Sequence, residues 1–162
     1  MRIQDLVAAQ LAGNGAMLES TLADFSDADM LVRPVPAANH AAWQVAHLVM
    51  SETMFIKEAG GKGVELPAGF SEKMFAAEGG EKFPPLVASK AQLLELWKAV
   101  RGASVAWAKS LADADLDKPS PEMIRSWVPT LAEMGVGMVV HATMHVGQMQ
   151  VIRRKLGKPI LF

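Results

Sequence analysis

The sequence contains no cysteine among its 162 residues. This absence excludes disulfide bonds, a thiolate nucleophile and any metal site with cysteine ligands, and it fits a reducing compartment. The sequence also lacks an excess of charge of either sign, because its formal net charge is −1. Nothing global therefore attracts nucleic acid or an acidic membrane. The first ten residues lack the apolar core of a signal peptide, and we expect a cytoplasmic protein.

A strand pattern, an internal repeat and a low-complexity segment are likewise absent. Apolar residues instead recur at helical spacing, and 162 residues suffice for one domain with a substantial core. Start and stop signals predict helices over about 3–25, 40–58, 90–112 and 131–156, with the N-caps Asn39, Ser89 and Thr130. The 60–88 connection is long and contains one short predicted helix near 71–77. We predict an all-α four-helix bundle, a single domain over 1–162 with a long crossover between helices 2 and 3.

Charge is absent from one long stretch, residues 134–152. Its length would suffice to cross a membrane. Its two histidines, one threonine and two glutamines argue against that, and we expect no membrane partner. The stretch predicts a helix that is buried nearly all round in a soluble protein.

His141 and His145 lie in this stretch, four residues apart, and therefore project from the same helix face. His47 lies in a second apolar helix, 94 residues before His141. Two interpretations stand: buried imidazoles satisfied by hydrogen bonds, or three ligands of one divalent ion such as Zn²⁺, Ni²⁺ or Fe²⁺. His40 is two helical turns from His47, so the two cannot bind the same ion, and we favour His47.

Other polar and apolar side chains are candidates for supporting this site or lining a pocket beside it. For each of them, a solvated or locally bonded side chain is the alternative interpretation. The methionines are expected to line the pocket rather than to bind an ion. These candidates are Gln148, Glu52, Asn14 and Trp43, together with Met50, Met54, Met138, Met144 and Met149.

Two segments resemble DinB-like proteins. They read NHAAWQVAHLVMSETMF and HATMHVGQMQVIRRKLG, and the second carries the family pattern H-x-x-x-H-x-G-Q at His141, His145, Gly147 and Gln148. The resemblance spans nearly the whole chain. It implies a four-helix bundle of unusual topology, a three-histidine site formed by His47, His141 and His145, and often a homodimer. A dimer also fits the second helix, which is apolar on too many sides for one core.

Members of this family include thiol-dependent S-transferases, a thiol-dependent isomerase and the metal-binding domain of sulfoxide synthases. The resemblance therefore implies a metal-dependent enzyme that acts on a small molecule, with thiol S-transfer the first expectation and hydrolysis the second. Without a cysteine in the chain, the sulfur must come from a low-molecular-weight thiol. The alternative is a non-enzymatic, metal-stabilised bundle that binds a ligand or a partner protein.

Overall fold

Four long α-helices dominate the computed structural model, which describes residues 1–72 and 88–161. They are α1 (Ile3–Leu22), α2 (Ala41–Glu58), α3 (Lys90–Ser110) and α4 (Leu131–Lys155). Within the described ranges no strand forms, and the extended backbone makes one isolated bridge. The all-α four-helix prediction is confirmed. The short helix predicted near 71–77 falls almost entirely outside the described residues.

The helix starts follow local hydrogen bonding at the N-caps. Ser89 and Thr130 form capping boxes with Gln92 and Glu133, which satisfy backbone N–H groups of the first turn. The prediction of Asn39 as the cap of α2 is wrong by one residue. His40 occupies the cap position, and its Nδ1 accepts a hydrogen bond of 3.1 Å from the Trp43 N–H.

The helices pack in an order that differs from their order along the chain. α1 packs against α3 and α4, and α2 packs against the same two helices. α1 and α2 therefore lie on one diagonal of the bundle. Two apolar clusters fill its interior, one around Leu18, Val45 and Trp97 and the other around Leu11, Ile56 and Trp107.

The apolar surface of α4 is distributed differently from the prediction. The helix is not buried nearly all round, because Val136, Val140, Met144 and Val151 are about half exposed along one face. The opposite face carries Gly135, where an added Cβ would lie 2.6 Å from a side-chain carbon of Val7 on α1. That glycine lets the two helices approach closely. No described helix is long and apolar enough to cross a membrane.

Candidate metal centre

Three imidazoles from two helices converge between α2 and α4. The Nε2 atom of His141 lies 3.2 Å from Nε2 of His47 and 3.2 Å from Nε2 of His145. One ring nitrogen from each histidine lies within 4.8 Å of the other two. His141 and His145 share a face of α4 because they are one helical turn apart. His47 faces them because α2 packs against α4.

Hydrogen bonds alone do not satisfy these three rings. His145 Nδ1 lies 3.1 Å from Oε1 of Gln148, an acceptor, so Nδ1 carries the proton and Nε2 of the neutral ring has a lone pair. His141 Nε2 would then have to donate to His145, and a donating nitrogen cannot also accept from His47. Within the described ranges, the buried Nδ1 of His141 has no hydrogen-bond partner. A cation that accepts one Nε2 lone pair from each ring resolves the conflict among the three Nε2 atoms.

The spacing of the nitrogens fits such an ion. Zinc binds imidazole nitrogen at about 2.0–2.1 Å, and tetrahedral ligands at that radius are about 3.4 Å apart. The two separations that involve His141 Nε2 are 3.2 Å and close to this value, and the remaining pair lies within 4.8 Å, so a small shift of one ring would close the set around an ion. Three histidines are also a ligand set that Zn²⁺, Ni²⁺ and Fe²⁺ accept. The residues present therefore fit one divalent ion.

Neighbouring side chains fix the planes of the three rings. Trp43 stacks on His47 with ring centroids 4.8 Å apart and an interplanar angle of 7°. Trp127 meets His141 edge-on at 6.2 Å. Two glutamine oxygens face His145 Nδ1, Gln148 at 3.1 Å and Gln44 at 3.4 Å. Outer contacts of this kind orient metal-binding imidazoles and select the tautomer that leaves Nε2 available.

The environment keeps the imidazoles in the form that binds metal. Burial is the main cause that lowers the pKa of His141 to about 4, and the nearby His47 and Arg101 act in the same direction. Burial likewise lowers the pKa of His145 to about 3, with the adjacent His141 and His47 acting in the same direction. Both rings are therefore neutral at neutral pH. A neutral ring needs no proton removed before it binds a cation.

The histidine cluster opens onto a pocket of about 530 Å³. The volume is within the usual range of small-molecule sites. The pocket lies between the 34–39 segment, the first turns of α2 and the C-terminal half of α4. No carboxylate and no cationic side chain appears among its described lining residues. These are Pro34, Val35, Ala37, Ala38, Asn39, Trp43, Gln44, His47, His141, Met144, His145, Gln148 and Val151.

The supporting residues named from the sequence divide into two groups. Gln148, Trp43 and Met144 line the pocket. Glu52 and Asn14 do not. Glu52 pairs with Arg101 at 2.7 Å and accepts from Ser104, and Asn14 donates to Thr143 and accepts from Arg101. Met138 and Met149 are buried in the apolar clusters.

Gln44 is the site residue that sequence reasoning missed. Its side chain is 1% exposed, and its Nε2 donates to the Asn39 carbonyl, which holds Oε1 near His145. The available signal was an amide in a helix segment that is otherwise apolar on every side, one turn before His47. A buried amide there needs partners.

Comparisons with known proteins agree with this architecture. The family model described as the DinB superfamily matches residues 10–149. A conserved protein from Enterococcus faecalis has a similar structure, with a TM-score of 0.73 and 20% identity over 98% of this chain and 99% of that one. No curated protein matches the sequence significantly.

A second solved structure is similar to this chain at a TM-score of 0.70 and 17% identity, covering 96% of this chain and 89% of the other. It is YfiT from Bacillus subtilis, described as a probable metal-dependent hydrolase with an unusual four-helix bundle topology. At these identities, both likenesses show the fold alone.

Proposed function

Because the chain belongs to the DinB superfamily, we propose that it is a metal-dependent enzyme in which His47, His141 and His145 hold one divalent ion and a small molecule binds beside it. The observation that carries the proposal is the convergence of three imidazole nitrogens at the wall of a 530 Å³ pocket. Among the described residues, no fourth histidine or carboxylate completes the cluster. Three protein ligands and an open position are typical of catalytic sites.

The ion would supply Lewis-acid chemistry, which lowers the pKa of a water or thiol in its open position. The chain's own residues supply the orientation. Trp43 stacks on the imidazole of His47, Gln44 and Gln148 face Nδ1 of His145, and the apolar side chains of Met144 and Val151 line one side of the pocket.

The pocket lining favours thiol S-transfer over hydrolysis. Because the described lining offers no carboxylate as a general base, ionisation of the nucleophile depends on the ion alone. A thiol, with a free pKa of about 8.5, then ionises more readily than water, with a free pKa of about 15.7. Glu52, the nearest sequence candidate for a general base, is paired with Arg101 and Ser104 instead. A thiol that has already ionised needs no base for its attack on an electrophile. The sulfur would come from outside, because the chain has no cysteine.

We also propose that two copies of the chain associate through the exposed face of α4. Val136, Val140, Met144 and Val151 form a row with no charged residue between them, and such a row can pair with its own copy across a two-fold axis. Met144 and Val151 also line the pocket. The second copy would therefore cover the pocket's edge.

The test compares the tag-free wild type with two histidine variants. We expect elemental analysis to find about one divalent ion per chain in the wild type and in His40→Asn, because His40 caps α2 and Asn is an equally good cap. His47→Ala should bind the ion at least about a hundredfold more weakly, since losing a direct ligand costs more than losing an outer contact. The loaded proteins are then assayed with an electrophile panel, with and without added thiol.

Each outcome is informative. Thiol-dependent turnover by the wild type and His40→Asn, absent from His47→Ala, supports the proposal. Equal activity of His47→Ala would contradict the ligand assignment. Metal and ligand binding without turnover of any panel member would make the protein a metal-stabilised binding module, and absence of bound metal would leave a bundle with three ordinary buried histidines.

A further inference from the structure

The pocket beside the histidine cluster has a mostly uncharged lining. Apart from the three imidazoles, its described lining contains no ionisable side chain. Its polar groups are the neutral amides of Asn39, Gln44 and Gln148 together with the indole of Trp43, and the remaining wall is formed by proline, alanine, valine and methionine side chains.

Two cations lie near one wall of this pocket, and both contact backbone rather than the pocket. Lys155 donates from Nζ to the carbonyls of Arg33 and Pro34, at 2.8 and 3.3 Å. Arg33 donates from Nη1 to the Ala38 carbonyl at 2.8 Å. These bonds hold the 34–38 segment against the end of α4. They leave the described wall without a counter-charge for an anion.

Two of the three amides already direct their oxygens to His145, Gln44 at 3.4 Å and Gln148 at 3.1 Å. Gln44 donates to the Asn39 carbonyl and directs its oxygen to His145. Gln148 is exposed and lines the pocket, and its Nε2 together with the Asn39 side chain offers the directional contacts that remain. Once a thiolate sulfur occupies the open position of the ion, a carboxylate farther along the same ligand would lose hydration and meet only neutral side chains along the described wall, which is unfavourable. An uncharged ligand loses little hydration and gains contact with the apolar wall.

From this lining we infer that the pocket selects an uncharged, mainly apolar small molecule, and that the thiol used at this site is one without a carboxylate. The inference deepens the proposed function and rests on it, because the thiol would bind through the ion held by the three histidines. The same feature excludes dicarboxylate thiols as good substrates. The wall around Val35 and Val151 determines this selectivity, since both side chains are partly exposed and face the ligand space.

The test uses protein loaded with Co²⁺, whose visible absorption reports on thiol binding. The probes are 1-butanethiol, which ends in a methyl group, and 4-mercaptobutanoate, which has a carboxylate in its place. We expect 1-butanethiol to bind at least tenfold more tightly. Val35→Lys adds a cation at a wall position that is 57% exposed, so the fold should tolerate it, and it should reduce the affinity ratio about tenfold. Met123→Lys, at a position 56% exposed outside the pocket lining, should leave the ratio unchanged.

Equal affinities in the wild type, or tighter binding of the carboxylate, would overturn the inference while leaving the metal site intact. An unchanged ratio in Val35→Lys would overturn it too, because the wall would then not determine the selectivity. Failure of Co²⁺ to bind, or binding of Co²⁺ without any response to either thiol, would overturn the proposed function and this selectivity with it.

Discussion

At the scale of single residues, two glutamines share one histidine but differ in their surroundings. Gln44 is buried and tied to the Asn39 carbonyl, whereas Gln148 is exposed at the pocket. Both oxygens lie within 3.4 Å of His145 Nδ1. A buried side chain held at both ends keeps its position, while an exposed one exchanges partners with solvent. Gln44 is therefore the residue that orients the His145 ring.

This difference predicts unequal effects on metal affinity. Gln44→Leu should weaken binding of Zn²⁺ by about 10–100-fold, the usual effect of removing an outer contact to a histidine ligand. Gln148→Leu should weaken it by less than about threefold, because Gln44 still accepts from His145. Competition with a chromophoric zinc chelator measures both affinities, and circular dichroism checks that each variant is folded. A larger loss in Gln148→Leu than in Gln44→Leu would contradict the assignment.

The sequence was informative about residues whose relation is local. The four-residue spacing of His141 and His145 dictates a shared face, and an imidazole in an apolar helix singled out His47. Gln44 was missed because its partner His145 is 101 residues away and meets it only through packing of α2 on α4. Glu52 was placed near the site by its distance from His47 along the chain, but it points to Arg101 and Ser104.

At the scale of helices, the burial of α2 and of α4 differs from what their sequences predict. α2 is buried along almost its whole length, including Glu52, which is 0% exposed. The uncharged α4 is the helix with an exposed apolar face. Absence of charge indicates that a helix is not fully solvated, but it does not identify what covers the helix. The physical argument for spare apolar surface therefore applies to α4 rather than to α2.

The α4 face gives a prediction about the oligomeric state. Val140→Asp places a charge in the middle of the row, at a side chain that is 55% exposed in the single chain, and it should convert a dimer to a monomer because a buried unpaired carboxylate is costly. Leu6→Asp, at a 49% exposed position on α1, is the matched control and should not change the mass. Sedimentation velocity measures both. A monomeric wild type at micromolar concentration would contradict the proposal.

At the scale of the whole molecule, a buried polar layer separates the two apolar clusters. It consists of Asn14 on α1, Glu52 on α2, and Arg101 and Ser104 on α3. The guanidinium of Arg101 also lies 4.3 Å from the centre of the Trp97 ring. Burial raises the pKa of Glu52 to about 7, whereas Arg101 and Ser104 favour its carboxylate. The layer ties three helices together through one side chain, Arg101.

Replacing Glu52 alone should destabilise the protein more than replacing both Glu52 and Arg101. Glu52→Leu leaves a buried guanidinium without its counter-charge and should lower the free energy of unfolding by about 3–5 kcal/mol. The double variant Glu52→Leu/Arg101→Met should recover most of that loss, because apolar pairs replace buried ion pairs at little cost. Urea denaturation monitored by tryptophan fluorescence measures each value.

An ion pair on the surface serves as the control for this experiment. Glu19→Gln removes the exposed contact between Glu19 and Lys98, 3.4 Å apart, and should change the free energy of unfolding by less than about 1 kcal/mol. A Glu52→Leu variant as stable as Glu19→Gln would show that the polar layer contributes little.

The number and approximate bounds of the helices were predictable because caps and apolar periodicity are local properties of the chain. The diagonal placement of α1 and α2 was not predictable from those properties, since it depends on which faces fit each other. Gly135 illustrates this, because nothing in its local sequence identifies its neighbour, and in the fold it lets α4 contact Val7.

The three imidazoles lie in a bundle whose interior is held together by apolar packing. Val45 of α2 and Val146 of α4 share one apolar cluster, and Ile56 of α2 and Met138 of α4 share the other, so apolar packing brings the two helices together without any contribution from the histidines. An ion entering the cluster would therefore find its ligands already assembled. The ion would bind and dissociate while the bundle stays folded. The metal found in the cluster would therefore depend on which ions are present in the surrounding solution, and not on which ion was present while the chain folded.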